Sequence, residues 1–253
     1  MPENIAQKTS PSYRLAALDP DFILSDSTRG VRFMLEYQKA EEHLRARGIV
    51  STIVVFGSAR VREGNPWYEA ARAFARIASE RGGALTDGES GRNHVIATGG
   101  GPGIMEAANR GATEAGALSI GFNITLPHEQ DPNAWSTPDL TFRFHYFAMR
   151  KMHLAMRAAA LVVFPGGFGT LDELFEIITL TQTGKMSPVP IVLYDSAFWK
   201  GLLNLETMAQ AGFIRPEDLQ LFCYADTPEE AYARIIEGAG DDWTPAAKDS
   251  VQT

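Results

Sequence analysis

Apolar positions along this chain fall into short continuous runs, and the stretches between the runs carry helical spacing. Residues 52–56 are one such run and predict a buried strand. After it, Asn65 is a cap candidate, Pro66 suits the first position of a helix, and Trp67, Ala70, Ala71, Phe74, Ile77 and Ala78 recur at helical intervals. The alternation continues with a strand over 94–98, a helix over 103–115, a strand over 118–124 and a proline-containing loop to 138. It goes on with a strand over 141–145, a helix over 147–159, a strand over 160–164, a helix over 171–183, a strand over 189–194 and a helix over 197–211. A short strand over 219–224 and a helix over 228–237 close it. Ahead of all this, an N-cap candidate at 25–27 precedes a leading helix over 29–47. It carries Phe33, Tyr37, Ala40 and Leu44 on one stripe and ends at Gly48.

Strands without polar alternation, separated by helices, are those of a parallel sheet covered on both faces. The expected architecture is therefore α/β, a Rossmann-like doubly wound parallel sheet of about six or seven strands. It should form a single domain over 13–238, with flexible tails at 1–12 and 239–253. A length of 253 residues, 45% of them hydrophobic, suits one such core.

Charge narrows the partners. With 31 acidic against 23 basic residues and a formal charge of -8, the chain repels polyanions, so nucleic acid is not an expected partner. No run reaches the roughly 18 to 20 apolar residues that span a bilayer, and residues 1–12 lack the apolar stretch of a secretory leader. A cytoplasmic protein without membrane contact is expected. The single cysteine, Cys223, reads as a small buried apolar residue, having no second thiol for a disulfide or a zinc site. The five histidines, at 43, 94, 128, 145 and 153, lack metal-ligand spacing, and neither a metal nor a cofactor is expected.

Chemistry concentrates where strands end. Three strand ends run into small-residue turns: Phe56-Gly57-Ser58-Ala59-Arg60, Thr98-Gly99-Gly100-Gly101-Pro102-Gly103, and Phe164-Pro165-Gly166-Gly167-Phe168-Gly169-Thr170. In an open parallel sheet such turns converge at the carboxyl edge, where ligands bind. Glycine lets main-chain N–H groups come close to a phosphate, and the following helix N-terminus adds partial positive charge. None is a Walker A loop and none has the full dinucleotide spacing, so the ligand should be a mononucleotide or sugar phosphate. The anion site would comprise Gly57, Ser58, Gly100, Gly101, Gly103, Gly166, Gly167, Gly169 and Thr170, together with Lys151. Glu173 has two readings. Thr170 and Glu173 have the spacing of a helix capping box, yet Glu173 also faces the proposed phosphate cradle as a reactive carboxylate. Asp172 and Glu173 diverge by about 100° around a helix, as do Arg150 and Lys151. The two carboxylates therefore do not face the same atom, and the plainer reading puts one of Arg150 and Lys151 on a solvated helix face.

Assembled, Gly99-Gly100-Gly101-Pro102-Gly103-Ile104-Met105, Arg150-Lys151 and Pro165-Gly166-Gly167-Phe168-Gly169-Thr170-Leu171-Asp172-Glu173 resemble the Lonely Guy family, often mislabelled as lysine decarboxylases. The similarity covers roughly residues 50–215 and suggests the longer bacterial form. It implies hydrolysis of the N-glycosidic bond of nucleoside 5'-monophosphates, such as AMP or cytokinin riboside monophosphates, giving free base and ribose 5-phosphate. It also implies Arg150 and Glu173 as the catalytic pair and at least a homodimer. Two departures, Asp172 where cytokinin-activating members usually carry Glu and the Phe-His-Tyr-Phe-Ala segment before Arg150, leave the preferred base open. The loop over 126–133 is a candidate for shaping the base pocket. Molybdenum-cofactor carrier proteins look similar in fold and glycine loops, so a non-catalytic nucleotide or pterin-phosphate carrier is the alternative. A pyridoxal-phosphate decarboxylase would need a Ser-x-His-Lys segment, which the chain does not contain.

Overall fold

A computed structural model describes residues 3–86, 91–126 and 131–240. Before the core, the helical turns α1 (Ile5–Thr9) and α2 (Pro20–Ile23) contain no buried residue. They lead into α3 (Arg29–Ala46). The core then alternates: β1 (Thr52–Phe56), α4 (Pro66–Arg81), β2 (Val95–Thr98), α5 (Ile104–Glu114), β3 (Ser119–Ile124), β4 (Thr141–Phe144), α6 (Phe147–Met156), β5 (Ala158–Val163) and α7 (Phe168–Gln182). It closes with β6 (Ile191–Tyr194), α8 (Ser196–Leu202), α9 (Leu205–Gln210), β7 (Cys223–Ala225) and α10 (Pro228–Ala239). Residues 1–2, half of the loop proposed to shape a base pocket (127–130, with His128) and the tail from 241 lie outside the described residues.

All seven strands are parallel, in the order β4-β3-β2-β1-β5-β6-β7. The alternating sides of each strand feed two apolar layers. Val54, Phe56, Ala97, Phe122, Leu161 and Val163 face α3, α6 and α7, through Leu44, Leu154, Leu174 and Ile177. Ile53, Val55, Ile96, Val162 and Val192 face α4, α5 and α10, through Phe74, Ala107 and Ile235. Burial on both faces is why the strands lack polar alternation. The chain winds outward from β1 through β4, then returns to β5 on the other side of β1. The β1 and β5 turns thus flank the place where the winding reverses.

Several boundaries differ from the sequence expectation, each for a local reason. The long helix expected over 197–211 is two. Leu203 is extended and the Asn204 side chain accepts the Thr207 N–H at 3.3 Å, starting a new helix. Residues Pro216–Gln220 coil into a 3₁₀ turn fastened by Arg215 and Asp218, which reduces the last strand to three residues. The α6 helix stops at Met156, because Arg157 leaves helical geometry with its side chain drawn to Glu41. Ala159 consequently lies in β5. Nor do Ser25 to Ser27 cap α3. Thr28 precedes it, and its hydroxyl donates backwards to the Phe22 and Ile23 carbonyls.

Candidate functional site

At the carboxyl edge of the sheet the three glycine turns touch one another. The Ser58 N–H donates to the Pro165 carbonyl at 3.0 Å, joining the β1 and β5 turns. The Ile104 N–H donates to the Ser58 carbonyl at 3.0 Å, joining α5 to the β1 turn. Gly103 has a φ of 73°, and a Cβ there would run into the Ser58 and Ala59 backbone, so this closure needs glycine. The β2 turn is fixed from beneath. Thr98 Oγ1 accepts the Gly100 N–H at 2.9 Å and donates to Asn109 Oδ1 at 2.7 Å. Asn133 donates its main-chain N–H to the Gly100 carbonyl at 2.9 Å, and its amide to the Gly101 carbonyl at 3.1 Å and to Asn109 at 3.0 Å.

Two helices aim side chains into this edge. Arg150, in the first turn of α6, lies against Gly99, where a Cβ would stand 3.3 Å from Nη2, and its guanidinium carbon is 5.7 Å from the centre of the Phe147 ring. Its Nη2 is 3.5 Å from Glu173 Oε1, an ion pair too long for a good hydrogen bond, and its Nε is buried without a partner. Glu173 is 4% exposed. Burial raises its carboxyl to about 7, against the pull of Arg150 and Lys151. Burial likewise holds the Arg150 guanidinium below its usual range, with Glu173 and Asp172 opposing.

The capping-box reading of Glu173 fails on the position of the helix. Gly167, extended and with no side chain, is the N-cap of α7, which starts three residues before the expected position. Thr170 and Glu173 therefore both lie inside the helix, and Glu173 reaches no N-cap N–H. Divergence around the two helices occurs as expected. Glu173 meets Arg150, while Asp172 and Glu176 bind Lys151 Nζ at 2.8 and 3.0 Å. The structure thus brings Arg150, Glu173, Ser58 and the three turns together but commits the Lys151 ammonium to carboxylates. The expected glycines divide too. A Cβ on Gly57 or Gly166 would collide with Ile104 or Thr170, whereas Gly167 and Gly169 face open space that a ligand can enter.

Asn123 was not foreseen. It is the penultimate residue of β3, with its amide against Gly100, and the buried Nδ2 has no hydrogen-bond partner. A polar residue breaking the apolar run Ile120-Gly121-Phe122 at a strand's carboxyl end was its signal. Asn133, the clasp on the glycine loop, gave none, since an Asn after a proline reads as ordinary turn chemistry. Among the described residues no group of three or more His, Cys, Asp or Glu side chains gathers to hold a metal ion, and no helix is long and apolar enough to cross a membrane.

Three glycine turns and a buried carboxylate–guanidinium pair thus stand together at the carboxyl edge of a Rossmann-like α/β protein, beside the winding reversal. The family model described as "Possible lysine decarboxylase" matches residues 105–235, more than half of the chain, and the protein belongs to this, the Lonely Guy, family. A rice (Oryza sativa subsp. japonica) relative, "Probable cytokinin riboside 5'-monophosphate phosphoribohydrolase LOG4", is 29% identical over 197 residues, 76% of this chain and 80% of the relative. The Arabidopsis thaliana relative "Cytokinin riboside 5'-monophosphate phosphoribohydrolase LOG3" is 28% identical over 152 residues, 58% of this chain and 69% of the relative. Among solved structures, the molybdenum cofactor carrier protein MCP from Chlamydomonas reinhardtii aligns with a TM-score of 0.50 at 20% identity, over 74% of this chain and 97% of that one. That likeness concerns the fold.

Proposed function

We propose that this protein hydrolyses the N-glycosidic bond of nucleoside 5'-monophosphates, AMP or cytokinin riboside monophosphates, to free base and ribose 5-phosphate. The observation that carries the reading is the Glu173 carboxyl, buried, raised to about 7 and set 3.5 Å from Arg150 where the glycine turns meet. A group poised near neutrality suits general base work at physiological pH. The names of the rice and Arabidopsis relatives support the same chemistry.

Cleaving C1'–N builds positive charge on the ribose. Glu173 as carboxylate stabilises that charge and takes a proton from the attacking water, whose oxygen bonds to C1'. The base departs with the electron pair of the broken bond and gains a proton overall. Arg150 keeps Glu173 ionised often enough to act and holds the substrate. The open N–H groups around Gly167 and Gly169 and at the start of α5 receive the phosphate. Asn123 donates its otherwise unpaired amide to the bound nucleotide. A buried carboxylate with a raised pKa beside a guanidinium favours catalysis over a carrier of the same fold. The decarboxylase label has no support in a chain that lacks a Ser-x-His-Lys segment and commits Lys151 to two carboxylates.

The test compares AMP with adenosine. The phosphate is remote from the bond broken, so its binding energy serves to place C1' against Glu173, and its loss lowers kcat as well as affinity. Charge-assisted hydrogen bonds are worth about 1.5 to 3 kcal/mol each, so losing several should reduce kcat/KM by roughly 1,000-fold or more. Equal rates on the two substrates would remove the phosphate from the mechanism. No base released from any nucleoside monophosphate would leave the carrier reading standing.

A further inference from the structure

Packing against Gly99 and the Phe147 ring, with few hydrogen bonds, holds the Arg150 side chain. Its Nε has no partner and its contact with Glu173 is long, so where its guanidinium sits depends on where the α6 backbone sits. That backbone is held from outside the sheet. The N-terminus of α6 has no side-chain cap from its own residues, with Tyr146 as N-cap. The carboxylate of Glu36, on α3, takes over the task. Oε1 accepts the His145 N–H at 2.8 Å and Oε2 the Tyr146 N–H at 3.2 Å. A carboxylate here also meets the positive end of the helix dipole.

Two further α3 side chains close on the same residue. Arg32 Nε donates to Tyr146 Oη at 2.9 Å, and the Phe33 ring meets the Tyr146 ring edge-on at 4.3 Å between centroids. Arg32 is itself tied by Nη1 to the Ile23 carbonyl at 2.8 Å and to Thr28 Oγ1 at 3.2 Å. Residues 32, 33 and 36 share one helix face, so Tyr146 is gripped at its main chain, ring and hydroxyl together. Tyr146 in turn accepts the Arg150 N–H on its carbonyl at 3.2 Å. At the far end of α6, Glu41 takes both terminal nitrogens of Arg157 at 2.9 and 2.7 Å. α3 therefore pins α6 at both ends, with Arg150 between them.

We propose that α3, which precedes the residues matched by the family model, is a splint that sets Arg150 over Glu173, with Glu36 as its positioning residue. The proposal rests on the reading of Arg150 and Glu173 as the reacting pair. Without the Glu36 carboxylate the first turn of α6 frays, Arg150 draws away, and Glu173 loses the cation that keeps its proton affinity down.

Glu36→Ala and Glu36→Gln in the full chain test this, the amide retaining one acceptor for the two N–H groups. The readout that does not need turnover is an NMR titration of the Glu173 carboxyl. Arg150 and Lys151 from α6 and Asp172 and Glu176 from α7 act on that group. With Arg150 loosened, the Glu36→Ala titration moves to higher pH, amide exchange at His145, Tyr146 and Arg150 quickens, and kcat for AMP falls about tenfold with KM changed less than about threefold. Glu36→Gln lies between parent and Ala in all three. An unchanged Glu173 titration in both variants overturns the splint, and so does a titration shift with kcat unaltered. A parent that releases no base refutes the proposed reaction separately, and the titration and exchange still decide whether α3 positions Arg150.

Discussion

Glu173 and its neighbour Asp172 are both carboxylates on the same helix, and their surroundings separate them. Asp172 is exposed and paired with Lys151; Glu173 is buried, and burial raises its carboxyl to about 7. The base form therefore appears as pH rises through neutrality, and kcat/KM for AMP should climb about tenfold between pH 6 and 8. A flat profile over that range would remove Glu173 as the base. Glu173→Gln keeps an oxygen for Arg150 and should leave a folded protein with base release reduced at least about 100-fold. Parental rates in that variant would mean the carboxylate is only structural. Asn123 makes a contrasting case. Removing a buried donor that has no partner costs the fold no hydrogen bond, so Asn123→Ala should stay within a few degrees of the parent in Tm while kcat/KM for AMP drops roughly fivefold to tenfold, the worth of about one hydrogen bond. A fall in Tm without change in kcat/KM would assign Asn123 to the fold instead. At this scale the motif singled out Arg150 and Glu173, which the fold brings to 3.5 Å of each other. It left the capping reading of Glu173 open, since spacing alone does not say which residue starts the helix.

Among the elements, α6 does more than cover the sheet. Its His153 is 1% exposed in an aromatic sandwich with Tyr37, Phe122 and Phe144, centroids 5.4 to 6.0 Å away. Burial lowers its pKa below the ordinary value of 6.5, opposed by Glu41 and the Tyr37 main chain and aided by Arg157. As pH falls through that value the unfolded chain takes up a proton that the folded one refuses, so stability is lost on the acid side. His153→Phe fits the sandwich without a charge to acquire, and its Tm should decline less than the parent's between pH 7 and 5. Parallel declines would show that other groups govern acid unfolding. The sequence pattern carried most elements to within a few residues, because apolar runs and helical spacing reflect burial directly. It missed what side-chain hydrogen bonds decide: the α8–α9 break at Asn204, the 3₁₀ turn at Arg215 and Asp218, and the grip of Glu36 on α6. Each depends on a polar partner that periodicity does not register.

At the scale of the whole molecule, the parallel sheet and its glycine-lined carboxyl edge were legible because strands buried on both faces leave an apolar signature, and glycine turns mark their carboxyl ends. Assembly is not written in that way, but α6 puts the large apolar side chains of Phe147, Met152 and Met156 on one helix. Phe147 and Met156 are 51% and 47% exposed, so the monomer core does not absorb them. On neighbouring α7, Phe168 is 91% exposed and, with Leu171 and Phe175, lines a shallow apolar depression beside Lys151. Soluble monomers rarely leave aromatic and aliphatic side chains grouped in this manner. We propose that a second copy of the chain covers α6 and α7, which would also shield the Arg150 and Glu173 site from water. Light scattering should then give the mass of two chains or more, and Met156→Glu combined with Phe175→Glu should return it to one, because burying two new charges opposes association. A parent of single-chain mass at working concentration would overturn the dimer, and an undiminished mass in the double variant would move its interface away from these helices.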